Sequence, residues 1–411
     1  MKYAILLGDG MADVPIAELG GKTPLEYART PNMDWIAREG TVGRIDTIPS
    51  GFKPGSDVAT LSVLGYNPAE SYSGRGPLEA ANMGVKLGPQ DVAFRCNLVT
   101  IATSDGQSVM DDFTAGHISS NESRRIIKDM NQALGNAEFQ FYPGVGYRHL
   151  CVWKGGSKDV LTTPPHDISG RAIDSYLPHG EAAAPLLRLM DLSRAFLASH
   201  PVNRQRKASG HKAANSIWLW GQGTAPVFER LTDRFKLSGG GVISAVDLLN
   251  GIGIYAGLEV IRVEGATGYV DTNYVGKAEK ALEVLNRLSF IFLHVEAPDE
   301  MGHEGNLQGK IKAIEDFDGK VVGTVLKGLK SHPEFRIMVL SDHPTPISIK
   351  THSSDPSPFA VFSSNPGENL RNAAAFGESE AQRGEILVSP GYRLLEMFLG
   401  DWRGRIEKEQ H

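Results

Sequence analysis

The sequence predicts an α/β protein with a mainly parallel central sheet and a second, smaller α/β domain inserted into it. Short apolar runs rich in β-branched residues alternate with longer helical segments, as they do in sheets built from βαβ units. Residues of the kinds that bind metal ions follow several of these runs. Between two such regions, residues 86–207 show strands and helices of their own.

Length and composition narrow the class of protein. A chain of 411 residues is more consistent with two domains than with one. It is 41% hydrophobic and 22% charged, and its net charge of −6 includes no basic run, which argues against nucleic-acid binding. No apolar stretch approaches the roughly 20 residues that span a bilayer. Cys96 and Cys151 lie in apolar runs and are expected to be buried free thiols, so a cytoplasmic protein is expected.

The first elements end in two candidate functional residues. Residues 2–8 are predicted to form a buried strand that Asp9 follows; alone, such an aspartate is more often a turn or cap residue than a ligand. A helix is predicted over residues 31–39. A Gly/Pro-rich loop, residues 49–55, then enters an apolar helix at Ser56. This serine is most simply an N-cap, but a helix N-terminus also favours a phosphoryl group beside a nucleophile.

The predicted insert, residues 86–207, separates two parts of a main domain, residues 1–85 and 208–411. Its loops combine His, Asp and Arg, which suits the binding of a small anionic substrate as well as an ordinary polar surface. The candidates for contact with such a substrate are Arg75, His117, Arg148, His166, Asp167, Arg171 and Lys212.

The C-terminal half continues the α/β pattern. The glycine triplet 239–241 is predicted to open an apolar helix, and residues 258–263 and 289–295 are predicted strands. Residues 307–329 form one long predicted helix. A buried strand is predicted over residues 336–340, and the last predicted strand covers residues 358–363.

Candidate metal ligands follow the predicted strands and the glycine loop. In an open α/β sheet, sites are built at the carboxyl ends of strands. Carboxylates and imidazoles suit Zn²⁺ or Mn²⁺, and three aspartates, three histidines and one hydroxyl suffice for two adjacent ions that clamp a phosphoryl group. The candidates are Asp9, Ser56, Asp299, His303, Asp342, His343 and His352.

This set resembles the alkaline phosphatase superfamily and, more closely, the cofactor-independent phosphoglycerate mutases of the archaeal type. The resemblance covers essentially the whole chain, and it implies an alkaline-phosphatase-like three-layer sandwich. Its motifs are Gly8-Asp9-Gly10, Lys22-Thr23-Pro24-Leu25, Thr30-Pro31-Asn32-Met33, Gly55-Ser56-Asp57, Gly74-Arg75-Gly76-Pro77, Ala266-Thr267-Gly268 with Asp271-Thr272-Asn273-Tyr274, Asp299 to His303, and Ser341-Asp342-His343 with His352.

The resemblance also implies an activity. It implies that 3- and 2-phosphoglycerate, glycolytic intermediates, are interconverted through a phosphoserine at Ser56. It implies two divalent ions, Mn²⁺ or Zn²⁺ with Mg²⁺ or Co²⁺ as further options, no bisphosphoglycerate, and an insert that binds and orients the glycerate. The implied ligands are Asp9, Ser56, Asp342 and His343 for one ion, and Asp299, His303 and His352 for the other.

Other activities stay open at this point. Where archaeal members carry an Arg-Gly-type turn, this chain has Trp218-Leu-Trp-Gly-Gln-Gly223, which is similar to a bacterial branch proposed to phosphorylate homoserine. A phosphatase would result if the acceptor were not retained, and a protein without the metals would be a binding protein. The chain has no G-x-x-x-x-G-K-[ST] phosphate loop, which makes a conventional ATP kinase a weaker alternative. The expected partner is a small phosphorylated substrate, with no membrane, and the oligomeric state is open.

Overall fold

In a computed structural model, which describes residues 1–104 and 106–409, the chain forms two compact units. The main unit comprises Met1–Tyr72 with Val227–His411, and the inserted unit comprises Ser73–Pro226. These limits differ from those expected, residues 86–207, because the helix before that range and the strand after it belong to the inserted unit's own sheet and packing.

The strands, in chain order, are β1 Lys2–Gly8, β2 Thr41–Ile45, β3 Val92–Ser104, β4 Gln107–Asp112, β5 Phe139–Val145, β6 Arg148–Trp153, β7 Ser216–Thr224, β8 Gly240–Ile243, β9 Glu259–Val260, β10 Phe290–Val295, β11 Phe335–Leu340, β12 Ser357–Ser363 and β13 Leu387–Val388.

The α-helices are α1 Pro24–Tyr27, α2 Pro31–Glu39, α3 Ser56–Val63, α4 Pro68–Ser71, α5 Arg75–Asn82, α6 Ser120–Leu134, α7 Ala184–Ala198, α8 Pro201–Ala208, α9 Leu231–Arg234, α10 Asp247–Tyr255, α11 Tyr274–Arg287, α12 Ala297–Glu304, α13 Leu307–Asp316, α14 Gly323–Leu329, α15 Glu378–Arg383, α16 Leu394–Leu399 and α17 Trp402–Ile406. Short 3₁₀ turns occur at Ala17–Leu19, Pro165–Ile168, Asp174–Tyr176, Pro366–Glu368, Gly391–Arg393 and Glu407–Glu409.

The main unit is built on a mainly parallel sheet of eight strands in the order β13-β2-β12-β11-β1-β10-β8-β9. At its centre β1 runs parallel to both β10 and β11, so that Leu6 lies opposite Leu293 on one side and Val339 on the other. Strand β12 runs antiparallel to its two neighbours. The carboxyl ends of β1, β10 and β11 therefore meet at one edge of the sheet.

Helices cover both faces of this sheet. On one face Ala4 and Leu6 share a core with residues of α2, α11 and α14. On the other face Tyr3 contacts Phe398 of α16, with ring centroids 5.7 Å apart, and Phe359 of β12 contacts Trp402 of α17. Strands covered on both faces read as continuous apolar runs, which is why β10 and β11 are buried along their whole length. The predicted α/β class with a three-layer main domain is confirmed.

The inserted unit has a sheet of its own. Strand β3 pairs antiparallel with β4, β6 and β7, and β5 extends the sheet beyond β6. Side chains of α6 and α7 share the core of this unit with its strands. Cys96 and Cys151 are buried free thiols in that core, as predicted.

Two predicted elements differ from the structure. The glycine triplet does not open a helix: Gly240–Ile243 is the buried strand β8, and the next helix begins only at Asp247. A Cβ on Gly240 would lie 2.7 Å from Leu258 and 3.0 Å from Phe290, so glycine here allows neighbouring side chains to approach. The strand predicted over residues 258–263 is only Glu259–Val260.

The predicted long helix over residues 307–329 is present but interrupted. Helices α13 and α14 are joined by a π-helical turn, Phe317–Val322. Asp318 in this turn accepts hydrogen bonds from the backbone N–H groups of Asn32 and Met33, which lie in the first turn of α2. Among the described residues, none of the helices combines the length and apolar character needed to cross a membrane.

Candidate metal centre

The parallel sheet places the candidate ligands at one edge. Asp9 directly follows β1, Asp342 and His343 lie just beyond β11, and α12, which carries Asp299, begins just after β10. Because these strands are adjacent and parallel, their ends converge. Contacts within the main unit connect all seven predicted ligand residues, Asp9, Ser56, Asp299, His303, Asp342, His343 and His352.

Ser56 faces two of these side chains. It is the first residue of α3, with Gly55 at the N-cap position, so its hydroxyl is not used as a helix cap. Its Oγ lies 3.4 Å from Asp9 Oδ1 and 3.2 Å from His343 Nε2. Asp342 accepts a hydrogen bond from Gly10 N–H through Oδ1, at 3.1 Å. The donor atoms of Asp9, Asp342 and His343 lie within 4.8 Å of one another.

A second group forms around Asp299. Its Oδ2 lies 3.2 Å from His303 Nε2, and its Oδ1 lies 3.4 Å from His352 Nε2. The donor atoms of Asp299, His343 and His352 also lie within 4.8 Å of one another. His343 therefore stands between the two groups, with its ring centroid 4.2 Å from that of His352.

The orientation of two histidines fits a metal ion. The Nε2 atoms of His303 and His352 are 2.9 Å apart. Their Nδ1 atoms lie 3.1 Å from Lys350 O and 3.3 Å from Pro54 O, and a carbonyl oxygen can only accept, so Nδ1 carries the proton in each ring. In neutral imidazoles both Nε2 lone pairs then face each other. A proton on His303 or a metal ion between the rings removes this repulsion, and such carbonyl partners are typical of metal-binding histidines.

The carboxylates fit divalent cations as well. Asp9 and Asp342 have no exposed surface, and among the described residues Asp342 Oδ2 accepts no hydrogen bond. Burial, together with the charges of Asp342 and Glu296, raises the pKa of Asp9 well above its ordinary value. Buried carboxylates without a cation are costly by several kcal/mol each. Oxygen and imidazole ligands of this kind suit Mn²⁺ and Zn²⁺.

Protonation differs between the two groups. Burial alone would raise the pKa of Asp299, but hydrogen bonds with His303 and His352 outweigh burial and hold it well below the ordinary value. The same hydrogen bond raises the pKa of His303 to about 9. Burial lowers the pKa of His343, which keeps its ring neutral near pH 7. Asp299 and His303 are therefore an ion pair when no metal ion competes with the proton.

Sequence reasoning missed several polar residues around the ligands. His294 is fully buried in β10, with Nε2 2.8 Å from Asp9 Oδ2 and Nδ1 3.1 Å from Ser244 Oγ. Glu296 lies 3.4 Å from His294, and burial raises its pKa to about 8. Thr345 donates a hydrogen bond from its hydroxyl to Asp299. The signal in the sequence that could have identified such residues is an ionisable residue inside or next to an apolar strand.

The predicted substrate-contacting residues all lie in the inserted unit. Arg148 is exposed, with its guanidinium 5.4 Å above the ring of Tyr147, and His166 is exposed with its ring 5.3 Å from that of Trp220. Arg75 opens α5. Asp167 lies 3.5 Å from His166.

The remaining residues predicted to contact the substrate are Lys212, Arg171 and His117. The ammonium of Lys212 is 2.9 Å from Asp111 Oδ2 and 3.7 Å from Asp112 Oδ2, so two carboxylates already neutralise it. Arg171 is exposed and accepts a backbone hydrogen bond from Met110 N–H. His117 is exposed, and its backbone N–H donates a hydrogen bond to Thr114 Oγ1.

An arginine that the sequence analysis did not select completes the cationic cluster of the inserted unit. The guanidinium of Arg95 in β3 lies 4.2 Å above the ring of Trp220, and its Nε is 2.9 Å from Glu79. Burial lowers the pKa of Arg95, the charge of Glu79 opposes this shift, and the charges of Arg75 and Arg148 lower the pKa further. We call Arg75, Arg95 and Arg148 the arginine cluster.

Several known proteins are similar to this chain. A family model described as 2,3-bisphosphoglycerate-independent phosphoglycerate mutase matches residues 37–203. The chain is 54% identical over 388 residues to the 2,3-bisphosphoglycerate-independent phosphoglycerate mutase of Methanosarcina barkeri, covering 94% of this chain and 96% of that protein. The structure of the PH0037 protein from Pyrococcus horikoshii is similar, with a TM-score of 0.80 and 31% identity over 98% of this chain and 97% of that chain.

A second solved structure, the cofactor-independent phosphoglycerate mutase from Thermoplasma acidophilum, is also similar. Its TM-score is 0.66 at 25% identity, and the match covers 97% of this chain and 100% of that chain. These matches extend over both units.

The close packing around Gly10 gives a first prediction. Gly10 has a φ of +56°, and an added Cβ would overlap Asp299 and the Thr345 hydroxyl. We expect Gly10→Ala to lower the free energy of unfolding by about 2–4 kcal/mol, through strain and overpacking, and to weaken Mn²⁺ binding. The matched control is Gly20→Ala, which has a φ of +67° but no atom within 4 Å of the added Cβ.

Calorimetry measures both quantities for the two variants. Gly20→Ala should cost about 1 kcal/mol and leave Mn²⁺ affinity unchanged, because only the backbone strain applies. Equal effects of the two substitutions would contradict the packing argument.

Proton competition gives a second prediction. At pH 7 the metal-free site holds protons on His303, with a pKa of about 9, and on Glu296, with a pKa of about 8. A metal ion must displace the His303 proton, so the affinity for Mn²⁺ should rise by about tenfold per pH unit below pH 9 and level off above it. Titration calorimetry in buffers of different ionisation enthalpy should detect released protons. An affinity that stays flat from pH 6 to pH 8 would rule out this competition.

Proposed function

Since the chain belongs to the 2,3-bisphosphoglycerate-independent phosphoglycerate mutase family, we propose that Ser56 carries the phosphoryl group as 3- and 2-phosphoglycerate are interconverted. The observation that carries this proposal is the position of Ser56 Oγ, 3.2 Å from His343 Nε2 and 3.4 Å from Asp9 Oδ1 at the N-terminus of α3. A helix N-terminus favours the negative charge of a phosphoryl group. Membership of the family implies dependence on divalent metal ions.

We assign the ligands of two ions. Asp9, Ser56, Asp342 and His343 hold one of them, and the other is held by the group around Asp299, which includes His303 and His352. Bound Mn²⁺ or Zn²⁺ would lower the pKa of the serine hydroxyl and neutralise phosphate oxygens. We favour Mn²⁺ for the first experiments, because three carboxylates contribute to the site.

The residues of this chain then act in two matched steps. In the first, Ser56 Oγ forms a bond to phosphorus while the phosphorus–oxygen bond to glycerate breaks, and the serine proton is transferred to the glycerate oxygen that leaves. In the second, the other glycerate hydroxyl attacks the phosphoserine and returns a proton to Ser56. Phosphoryl transfer depends mainly on such positioning and on neutralising charge. Asp9 Oδ1 orients the serine by accepting its hydrogen bond.

The phosphatase alternative differs only in the second step. If water rather than glycerate attacked the phosphoserine, the product would be free phosphate, so the mutase must exclude water and keep its acceptor. In our proposal the inserted unit supplies the acceptor's contacts. The arginine cluster provides cationic groups suited to a carboxylate, together with the predicted residues His117, His166, Asp167, Arg171 and Lys212.

The function is tested first by ³¹P NMR of the purified full-length chain with Mn²⁺ and 3-phosphoglycerate, without bisphosphoglycerate. The 2-phosphoglycerate signal should grow to equilibrium. Ser56→Ala should lower kcat by at least about 10⁴-fold, because the proposed phosphoserine cannot form without the hydroxyl. The exposed Ser50→Ala, in the loop before α3, should retain full activity.

Other outcomes point to the alternatives. Release of free phosphate alone would indicate a phosphatase. With no reaction, the same sample should receive ATP and homoserine, and phosphohomoserine would indicate the kinase. Full activity of Ser56→Ala would refute the nucleophile assignment.

The arginine cluster gives a separate prediction. Arg148→Ala should raise the KM for 3-phosphoglycerate about 10- to 100-fold, the loss of one charged hydrogen bond. The control Arg124→Ala, also exposed but on α6, should keep the wild-type KM. An unchanged kcat/KM in Arg148→Ala would remove this residue from the proposed substrate contacts.

A further inference from the structure

A fully buried lysine lies beside the metal centre and has no role in the steps above. Lys310 is in α13, and its ammonium donates hydrogen bonds to Ala12 O at 3.1 Å, Asp13 Oδ2 at 2.8 Å and Thr345 O at 2.8 Å. An ammonium group has three N–H donors, so these three oxygens satisfy it completely. Lys310 therefore has no donor left for a substrate or for water.

The three acceptors lie on loops that carry metal ligands. Residues 10–13 follow Asp9 after β1, and residues 344–347 follow His343 after β11. Helix α13, which carries Lys310, directly follows the ligand-bearing helix α12. One buried charge thus joins three segments that are far apart in sequence, and each of these segments is preceded by candidate ligands.

Thr345 extends this connection to the ligands themselves. Lys310 holds the carbonyl of Thr345, while the hydroxyl of Thr345 donates to Asp299 and lies 3.3 Å from His343 Nδ1. The residue fixed by Lys310 therefore contacts one ligand from each group. Metal-binding side chains depend on such outer contacts for their orientation.

Asp13 anchors the other end of the network. Besides Lys310, its Oδ2 accepts a hydrogen bond from Ile347 N–H at 3.2 Å, and its Oδ1 accepts one from Val14 N–H at 2.8 Å. Its own N–H donates to Glu378 at 3.0 Å. Both loops are consequently tied to the same ion pair.

Stability alone does not account for this arrangement. A buried ion pair is often no more stabilising than well-packed apolar side chains of similar volume, because both charges lose their hydration. An apolar side chain at position 310 could fill the same space in the core. It could not, however, hold the carbonyl groups of two separate loops at fixed positions.

We propose that Lys310 is a positioning residue for the metal centre, which fixes the loops after β1 and β11 against α13 so that the ligands converge before a metal ion binds. This inference rests on the proposed function only in requiring that the site binds metal. It assigns no contact between Lys310 and the substrate.

The test compares Mn²⁺ binding in the wild-type chain and in the double variant Lys310→Met/Asp13→Asn. The pair of substitutions removes both buried charges together, and the single amide oxygen of the asparagine can still accept from one of the two N–H groups, that of Ile347 or that of Val14. After removal of metal with a chelator, titration calorimetry should give a Kd for Mn²⁺ that is about 10- to 100-fold weaker than that of wild type. The number of ions bound at saturation should not change.

Activity provides a second readout. The Mn²⁺ concentration for half-maximal mutase activity should rise with the Kd, whereas kcat at saturating Mn²⁺ should return to within about threefold of wild type. Lost folding alone would lower the number of ions bound per chain and leave the Kd of the folded fraction unchanged.

The matched control is Arg336→Met/Glu368→Gln. Arg336 is also buried, donates to Phe398 O at 2.6 Å and Gly400 O at 2.8 Å, and pairs with Glu368, but it lies at the amino end of β11. This control should lower the melting temperature without changing the Kd for Mn²⁺. Equal weakening of Mn²⁺ binding in the control would overturn the positioning role.

A milder variant keeps the proposal testable if the double variant does not fold. Thr345→Val is nearly isosteric and keeps the backbone carbonyl that Lys310 binds, but it removes the hydroxyl that reaches Asp299. It should weaken Mn²⁺ binding several-fold. Wild-type Kd values in both variants, or in whichever of them folds, would overturn the proposal. A wild-type chain that binds no Mn²⁺ would instead overturn the proposed function, and this inference with it.

Discussion

The main unit depends on three carboxylates that are buried at one edge of a parallel sheet. Asp9 and Asp342 have no exposed surface, and Asp299 is 3% exposed. Ionised carboxylates this close repel each other strongly where little water screens them. Burial, together with this repulsion from Asp342 and Glu296, raises the pKa of Asp9, whereas hydrogen bonds with His303 and His352 outweigh burial and hold the pKa of Asp299 low. Divalent ions would neutralise this repulsion between the carboxylates without protonating them, so the site is suited to binding metal ions.

Much of this site could be predicted because its geometry follows from strand direction. A residue just beyond a buried parallel strand must lie at the edge where neighbouring strands also end. Asp9, Asp342 and His343 are placed by that rule, and Asp299 with His303 by the i, i+4 spacing of a short helix. His352 has no regular element to place it. Its pairing with His303 depends on a loop that the sequence pattern does not specify, and the family resemblance supplied it.

The residues that were missed have a common physical cause. His294 and Arg95 are ionisable side chains within apolar strands, and Lys310 lies on an amphipathic helix, but hydrophobic periodicity carries no information about the long-range polar partners of such residues. Lys310 meets residues nearly three hundred positions away in the chain. The helix predicted at the glycine triplet was wrong for a related reason. Gly240 and Gly241 belong to β8, where side chains of adjacent elements approach the backbone closely, which local sequence does not reveal.

The segment Trp218-Leu-Trp-Gly-Gln-Gly223, where the archaeal pattern has an Arg-Gly-type turn, is part of strand β7 in this structure. The archaeal pattern places an arginine in this turn, and its absence here left the homoserine alternative open. In the structure Arg95 reaches the same segment from the neighbouring strand, because β3 pairs with β7 so that Arg95 lies opposite Trp220. Its guanidinium stacks on that tryptophan at 4.2 Å, a favourable contact for a cation. Arg95 therefore places a guanidinium, paired with Glu79 at 2.9 Å, beside this segment of β7, although the segment itself carries no arginine.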